Sequence, residues 1–493
     1  MRRLLSCLLL AVSAIAQAEN DRRPTIVVIL ADDLGTGDVT ALSMSCRIRT
    51  PYLDGLAVES TRLTDFHTNS SVCTPTRYGL LTGRYAWRSR LQKGVLQGDS
   101  PALIAPGRPT VASALHDAGY RTVCVGKWHL GLDWRKGPDG KADFSQPFGG
   151  GPLAHGFETF HGIAASADMP PYAWLEGDRV TADPTAVFAG GAGVLHVRKG
   201  PSAPGWRSDN LLESLTQRSI AELRKCREDP RPLFLYLALP SPHTPIAPSA
   251  QWRGRSGINA YADFVMETDN TVGRILMALR ETGRGEDALV IFTADNGCSP
   301  SANFVDLREH GHDPSAGFRG MKSDLYEGGH RVPCLVRWPG RIARGGSSDA
   351  LAGTTDLFAT CLSAAGVKVA AGGEDSVDLL PVLTGKAKMA RESYILHSID
   401  GRFAFRKGTL KYLACRGSGG WSPPTPKDRD YMRLPPDQLF DLAEDPSEES
   451  NLARPRQAEV ERLWAELAGQ VKAGRTTPGP ASPNDVEVIP ARD

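Results

Sequence analysis

Continuous apolar runs recur along the chain and predict strands that are buried on both faces of a parallel sheet. The runs occupy residues 25–31, 122–125, 233–239, 288–293 and 333–338. Helices are predicted between them and after them, at residues 108–118, 210–228, 259–281 and 355–365. This alternation is typical of an α/β fold with a large, mostly parallel sheet flanked by helices.

The C-terminal part of the chain has a different pattern. Short strands at 393–398, 401–406 and 410–415, separated by turn residues, predict an antiparallel sheet. A strand at 439–442 and a helix at 456–473 complete a small antiparallel α+β domain. We therefore predict a large N-terminal domain, a small C-terminal domain, and an extended Pro-rich tail at 475–493.

Residues 1–18 have the features of an export signal. Arg2 and Arg3 precede an apolar run at 4–15, and Ala16-Gln17-Ala18 forms a small-residue cleavage site. The apolar run is too short to span a membrane, and no later stretch looks transmembrane. We expect an exported protein, periplasmic or extracellular.

Charge and cysteine usage exclude some classes of partner. The 57 basic and 56 acidic residues give a net charge of +1, so the chain has no basic excess for binding nucleic acid. The nine cysteines lack metal-ligand spacing. Several lie inside apolar segments, which favours buried thiols over disulfides.

The stretch 71–85, SVCTPTRYGLLTGRY, places a cysteine at the start of a short helix. Thr74 and Pro75 suit a helix start, and Gly83 suits its end. Cys73 and Arg77 are one turn apart and share a face. Taken alone, Cys73 would most often be a buried thiol or half of a disulfide.

Polar residues follow the predicted strands directly. Asp32 and Asp33 end the first strand, and Asp295 and Asn296 end the strand at 288–293. The carboxyl ends of parallel strands form the edge where α/β sheets bind ligands. Adjacent carboxylates in a confined place would require a cation, and oxygen donors suit Ca²⁺. Taken alone, however, such an acidic pair would most often be a solvated turn.

Several strings together resemble one family. Cys-x-Pro-x-Arg at 73–77, followed by Leu-Leu-Thr-Gly-Arg, resembles the type I sulfatases of the alkaline-phosphatase superfamily, in which this cysteine is converted to formylglycine. Asp-Asp-Leu-Gly at 32–35, Gly-Lys-Trp-His-Leu-Gly at 126–131 and Glu-Gly-Gly-x-Arg-Val-Pro at 327–333 match further signatures in the same order. Within this family, the sequence most resembles bacterial glycan sulfatases and arylsulfatase A-like enzymes. The resemblance implies an alkaline-phosphatase-like fold with a catalytic domain at 24–385, followed by the small domain at 386–474.

The resemblance implies a metal site and a set of catalytic residues. Asp32, Asp33, Asp295, Asn296 and the modified Cys73 (3-oxoalanine) would bind Ca²⁺. Arg77, Lys127 and Lys322 would surround the sulfate with positive charge. One hydroxyl of the hydrated aldehyde would attack sulfur, and the other, deprotonated with the help of His129, would expel sulfate while Arg77 orients the hydrate. His243 would be the general acid toward the bridging oxygen, since its ordinary pKa is about 6.5.

Two predicted loops, the first rich in Gly, Pro and aromatic residues and the second polar, supply further candidates for substrate contact. Asp168 lies in the loop predicted at 148–174, and His310, His312 and Arg319 lie in the loop at 299–322. We expect a calcium-dependent sulfatase acting on a sulfated saccharide of galactose or N-acetylgalactosamine type, matured by a formylglycine-generating enzyme. A phosphoesterase or phosphonate monoester hydrolase of the same superfamily, and a noncatalytic binder of sulfated glycans, are the alternatives.

Overall fold

The computed structural model describes residues 23–369 and 371–493, so the predicted export signal at 1–18 lies outside the described residues. The strands are β1 (Thr25–Ala31), β2 (Thr61–Leu63), β3 (Phe66–His67), β4 (Arg121–Lys127), β5 (Thr159–Ile163), β6 (Leu175–Glu176), β7 (Arg179–Val180), β8 (Ala186–Phe188), β9 (Gly200–Ser202), β10 (Leu233–Ala238), β11 (Ala288–Ala294), β12 (Cys334–Arg337), β13 (Gly346–Ser348), β14 (Ala352–Gly353), β15 (Ser393–His397), β16 (Phe403–Lys407), β17 (Leu410–Leu413) and β18 (Gln438–Asp441).

Helices flank these strands. They are α1 (Pro51–Glu59), α2 (Cys73–Thr82), α3 (Val111–Asp117), α4 (Leu211–Arg224), α5 (Ala260–Glu281), α6 (Phe304–Glu309), α7 (Glu327–His330), α8 (Asp356–Ala364), α9 (Leu380–Leu383) and α10 (Gln457–Ala473). Within the described ranges, none of these helices is both long and apolar enough to cross a membrane.

The large sheet confirms the predicted α/β fold class. Its strand order is β13-β2-β12-β11-β1-β10-β4-β5-β6-β7. The central strands β11, β1, β10, β4 and β5 run parallel, and antiparallel pairs flank them on both sides. Every residue of β1, β10 and β11 is buried, as their continuous apolar sequences require.

The small antiparallel sheet has the order β15-β16-β17-β18. Helix α10 packs on it through buried Val460, Leu463, Leu467 and Val471, which recur at helical spacing. Aromatic side chains from the large domain, including Tyr85, join the same apolar cluster. The two parts of the chain therefore share a packed interface, and the boundary at residue 385 stays a prediction.

Two predicted loops contain regular structure. Strand β5 lies within the loop expected at 148–174. Its mixed sequence has no clear strand pattern, and its pairing with β4 stabilises it. Helix α6 similarly interrupts the loop expected at 299–322. All eight cysteines in the described residues are buried and free, as predicted for the seven other than Cys73.

Gly126 allows β4 to pack closely against β10 near the carboxyl end of both strands. Its φ is +115°, and a Cβ at this position would lie 1.9 Å from the carbonyl oxygen of Ala238 on β10. We expect Gly126→Ala to lower the free energy of unfolding by about 3 kcal/mol, because strain and overpacking add. The matched control is Gly119→Ala, with φ +88° and open space around the added Cβ, which should cost about 1 kcal/mol. Equal losses in chemical denaturation would contradict the close approach.

Candidate active site

The candidate site lies at the carboxyl edge of the central strands. Ala31 of β1 pairs with Ala294 of β11, which brings Asp32 and Asp295 side by side. The Asp295 N–H donates to the Ala31 carbonyl at 3.1 Å. β4 pairs with β10 in register up to Gly126, so Lys127 emerges at the same edge. The strand register thus assembles residues that are about a hundred or more positions apart.

Three carboxylates and three cationic side chains form a buried cluster there. The Arg77 guanidinium donates to Asp295 Oδ2 at 2.7 and 3.1 Å, and its Nη2 lies 3.3 Å from Asp32 Oδ2. The ammonium of Lys127 lies 2.6 Å from Asp32 Oδ2. The ammonium of Lys322 lies 2.6 Å from Asp33 Oδ1. Because each charge is removed from water, the pairs depend on one another.

The pKa values follow from burial and from these neighbours. Burial alone would raise the pKa of Asp32, but Lys127, His243 and Arg77 hold it far below its usual value. The pKa of Asp295 is raised, because burial and the nearby Asp32 charge outweigh the effect of Arg77. Burial would lower the pKa of Lys322, but Asp33 raises it well above the ordinary value. The site therefore keeps Asp32 ionised and Lys322 protonated.

Several buried oxygen acceptors in this cluster lack a hydrogen-bond partner among the residues that the structure describes. They are Asp32 Oδ1, Asp33 Oδ2 and Asn296 Oδ1. Ligand atoms of Asp32, Cys73 and Asp295 lie within 4.8 Å of one another, and so do those of Asp32, Asp33 and His243. Leaving such acceptors unpaired in a dry place is costly, and convergent oxygen donors are what Ca²⁺ prefers. The residues present therefore fit a divalent cation.

Cys73 is the first residue of α2 and is 2% exposed. The segment before it is fixed by side chains: Thr76 donates to the Ser70 carbonyl at 2.8 Å, and Asn69 donates to the Pro75 carbonyl at 2.9 Å. Burial raises the pKa of the Cys73 thiol, although Lys127 and Lys322 act in the opposite direction. An unmodified Cys73 is therefore a thiol near neutral pH and a weak nucleophile.

His129 presents a neutral imidazole to the site. The φ of His129 is +56°, and β4 ends at Lys127. The side chains of Lys127 and His129 are therefore not related as alternate residues of one strand. Burial lowers the pKa of His129 well below 6.5, and Lys127 and Arg77 lower it further. Nε2 lies 2.8 Å from the Leu96 carbonyl and must donate to it, so Nδ1, which is buried without a partner, is an acceptor.

His243 and Lys322 are the cluster members with the most exposure, at 7% and 5%. Nδ1 of His243 lies 2.7 Å from the Thr244 carbonyl, which leaves Nε2 directed toward Asp33 Oδ2 at 3.7 Å. Ser166 bridges Lys127 and His243: its Oγ lies 3.1 Å from the Lys127 ammonium and 3.1 Å from His243 Nδ1. No motif in the sequence marked Ser166, since it follows the unpredicted strand β5.

Asp168 lies beside this cluster. It is 3% exposed, and its carboxylate pairs with Arg198. Burial would raise the pKa of Asp168, but His243, Arg198 and Lys127 lower it. Its Oδ1 is buried without a hydrogen-bond partner. Arg198 had no sequence signal, because it lies in the Gly- and Ala-rich segment between β8 and β9.

The structure does not bring the other three substrate candidates to the cluster. His310 is partly exposed, with Nδ1 2.8 Å from the Asp306 carbonyl. His312 is buried against Asp38, with Nε2 2.8 Å from Oδ1, and the Asp38 hydrogen bond raises its pKa to about 9 despite burial. Arg319 donates to the Glu448 carbonyl at 2.6 Å. Their contact with substrate stays a prediction.

Comparisons with known proteins agree on one family. A family model described as sulfatase matches residues 24–367. The chain is 30% identical to an N-acetylgalactosamine-6-O-sulfatase of Bacteroides thetaiotaomicron, over 92% of this chain and 94% of that relative. It is 35% identical to arylsulfatase A of Homo sapiens, over 87% of this chain and 83% of that relative.

Solved structures show the same fold. One, from work on the metabolism of multiple glycosaminoglycans by Bacteroides thetaiotaomicron, has a TM-score of 0.80 at 28% identity and covers 92% of this chain and 100% of that chain. A sulfatase from Pseudoalteromonas sp. has a TM-score of 0.71 at 22% identity and covers 94% of each chain.

Lys127 tests the charge balance of the cluster. In protein stripped of divalent ions with EDTA, we expect Lys127→Met to lower the free energy of unfolding by about 3 kcal/mol, because Asp32 keeps a buried charge with one partner removed. Lys141→Met is the control: its ammonium is exposed and lies 3.8 Å from Asp139, so it should cost under about 0.5 kcal/mol.

The effect of Lys127→Met has a defined pH dependence. The depressed pKa of Asp32 contributes stability that is complete above its unfolded value of about 3.9 and is lost as the pH falls further. The difference between wild type and Lys127→Met in urea denaturation should therefore narrow below about pH 4. A difference that is absent at pH 7, or that grows in acid, would contradict the pairing.

Proposed function

Because the chain belongs to the sulfatase family and is a sulfuric ester hydrolase, we propose that it is an exported, calcium-dependent enzyme that removes O-sulfate from a saccharide. The observation that carries the proposal is the convergence of Arg77, Lys127 and Lys322 on the pocket that also holds Cys73. A sulfate monoester is an anion, so positive charge must surround it before any nucleophile approaches sulfur. A buried cluster supplies that charge although the whole chain is nearly neutral.

Calcium would be held by Asp32, Asp33, Asp295 and Asn296. The three unpartnered oxygens among these residues support this ligand set. When bound, the ion would add a positive charge beside the sulfate and polarise its oxygens. The ammonium of Lys322 lies 2.6 Å from Asp33 Oδ1. When substrate binds, this ammonium would be shared between Asp33 and the sulfate.

Residue 73 would act as formylglycine. The hydrated aldehyde would supply one hydroxyl to attack sulfur and a second whose deprotonation releases sulfate, a route that a thiol lacks. The raised pKa of Cys73 supports the need for this modification. Since Cys73 is 2% exposed, a formylglycine-generating enzyme would have to act before this segment folds.

Two histidines would move protons. Among the described residues, Nδ1 of His129 is an unpartnered acceptor, and burial together with the positive neighbours keeps the imidazole neutral, which suits a base for the hydrate. His243 and Lys322 retain exposure, so the substrate would enter on their side with its bridging oxygen toward them. His243 would protonate the departing sugar oxygen.

The saccharide assignment depends on relatives and on Asp168. A relative covering 92% of this chain is an N-acetylgalactosamine-6-O-sulfatase, which favours galactose- or N-acetylgalactosamine-type substrates. Asp168 offers an unpartnered carboxylate oxygen near His243, where a sugar hydroxyl could donate. Arg198 covers this carboxylate and would have to share it with the sugar.

Parallel assays with phenyl sulfate and phenyl phosphate test the reaction. Protein matured together with a formylglycine-generating enzyme should hydrolyse the sulfate faster, and Cys73→Ala should be inactive on both. Peptide mass spectrometry should show residue 73 as an aldehyde, which is lighter than cysteine. Faster phosphate turnover would favour the phosphoesterase alternative. A free thiol in native material together with glycan binding but no turnover would favour the noncatalytic binder.

His243→Gln tests the general acid. A sugar alkoxide resembles hydroxide, whose conjugate acid has a pKa of about 15.7, whereas phenol has a pKa of about 10. We expect His243→Gln to reduce kcat by about 10²-fold or more on a sugar sulfate and far less on phenyl sulfate. The control is His116→Gln, whose side chain is 48% exposed on α3. Equal losses on both substrates would place His243 in another role.

A further inference from the structure

The segment 319–327, which carries Lys322, is held by the small C-terminal domain. The Lys322 N–H donates to the Cys298 carbonyl at 2.9 Å, and the Ser323 N–H donates to the Ser71 carbonyl at 2.8 Å. Ser323 has φ +85°, a left-handed conformation that a serine rarely adopts. Such a conformation persists only where surrounding contacts determine it. The turn beside Lys322 is therefore imposed from outside the segment.

Asp324 supplies most of that external control. It is fully buried, and its carboxylate accepts hydrogen bonds from groups on both sides of the domain interface. Oδ1 accepts from the Trp421 N–H at 2.9 Å and the Ser422 N–H at 3.1 Å. Oδ2 accepts from the Met321 N–H at 3.0 Å and from the Ser422 hydroxyl. One carboxylate thus ties residues next to Lys322 to the loop 417–422.

The same loop contacts the neighbouring residues of the segment. The Trp421 N–H also donates to Ser323 Oγ at 2.9 Å, and the Leu325 N–H donates to the Ser418 carbonyl at 2.8 Å. Gly420 packs directly against this segment, because a Cβ at position 420 would lie 2.4 Å from the Ser323 carbonyl oxygen. A larger residue there would displace the loop from Ser323. The backbone on either side of Lys322 is therefore held by both domains: the large domain binds the N–H groups of Lys322 and Ser323, and the small domain binds Asp324, Leu325 and the Ser323 hydroxyl.

We propose that Asp324 is a positioning residue for Lys322 and that the loop 417–422 of the small domain is required for sulfate binding. The inference rests on the proposed role of Lys322. A lysine side chain is long and has many rotamers, so a fixed backbone determines how well its ammonium is placed. A displacement of about 1 Å in a catalytic group can cost on the order of 10²-fold in rate. The small domain thus contributes to the reaction without contacting sulfur.

A double-mutant cycle tests this. Asp324→Asn offers one acceptor oxygen where the aspartate offers two, so one pair of donors loses its partner. We expect kcat/KM on phenyl sulfate to fall about 10- to 100-fold, with a raised KM and weaker competitive inhibition by inorganic sulfate. In a Lys322→Ala background, Asp324→Asn should change kcat/KM by less than about 2-fold, because its effect passes through Lys322. Multiplicative losses would overturn the proposal.

Controls separate the possible failures. Asp428→Asn changes an exposed carboxylate in the same domain, which accepts from the N–H and hydroxyl of Thr425, and should leave kcat/KM and the melting temperature unchanged. If Asp324→Asn does not fold, Ser422→Ala removes one donor and keeps the backbone bonds, and it should show a smaller loss that again vanishes without Lys322. Full activity of Lys322→Ala would instead refute the proposed function of that lysine.

Discussion

The structure depends on keeping three carboxylates and three cationic side chains together without water. In this buried place the three carboxylates would repel one another strongly if no positive charge lay between them. Each is paired with a cation: Asp295 with Arg77, Asp32 with Lys127, and Asp33 with Lys322. The strand register brings the carboxylates and Lys127 together, α2 brings Arg77, and the loop before α7 brings Lys322. A change in any of these elements leaves a buried charge uncompensated, which costs more than the pairs contribute.

This arrangement explains how a nearly neutral chain could bind an anion. Burial alone would lower the pKa of Lys322 and of Arg77, but the neighbouring carboxylates raise both, so these two side chains stay positively charged in a buried place. Unpartnered oxygens on Asp32, Asp33 and Asn296 leave room for a cation on the same side. A pocket that can hold a metal ion and a sulfate together needs both signs of charge within a few ångströms.

The sequence predicted the site residues that lie at the ends of the central strands. Asp32, Asp295 and Lys127 follow apolar runs whose parallel pairing brings them to one edge, so their meeting was predictable. Residues on loops were not, because loop direction depends on tertiary contacts. His312, for example, turns inward to Asp38, and Ser166 follows a strand that pairing alone stabilises. Asp324 had no signal either, since its partners come from a domain about a hundred residues away.

The most direct test of the central claim is the binding of calcium by EDTA-stripped protein in isothermal titration calorimetry. We predict that each chain binds a single Ca²⁺, and that Asp295→Ala and Asn296→Ala each abolish or greatly weaken this binding although the two residues lie on a different strand end from Asp32 and Asp33. Folded wild-type protein that binds no Ca²⁺, or variants that bind it as tightly as wild type, would contradict a shared pocket.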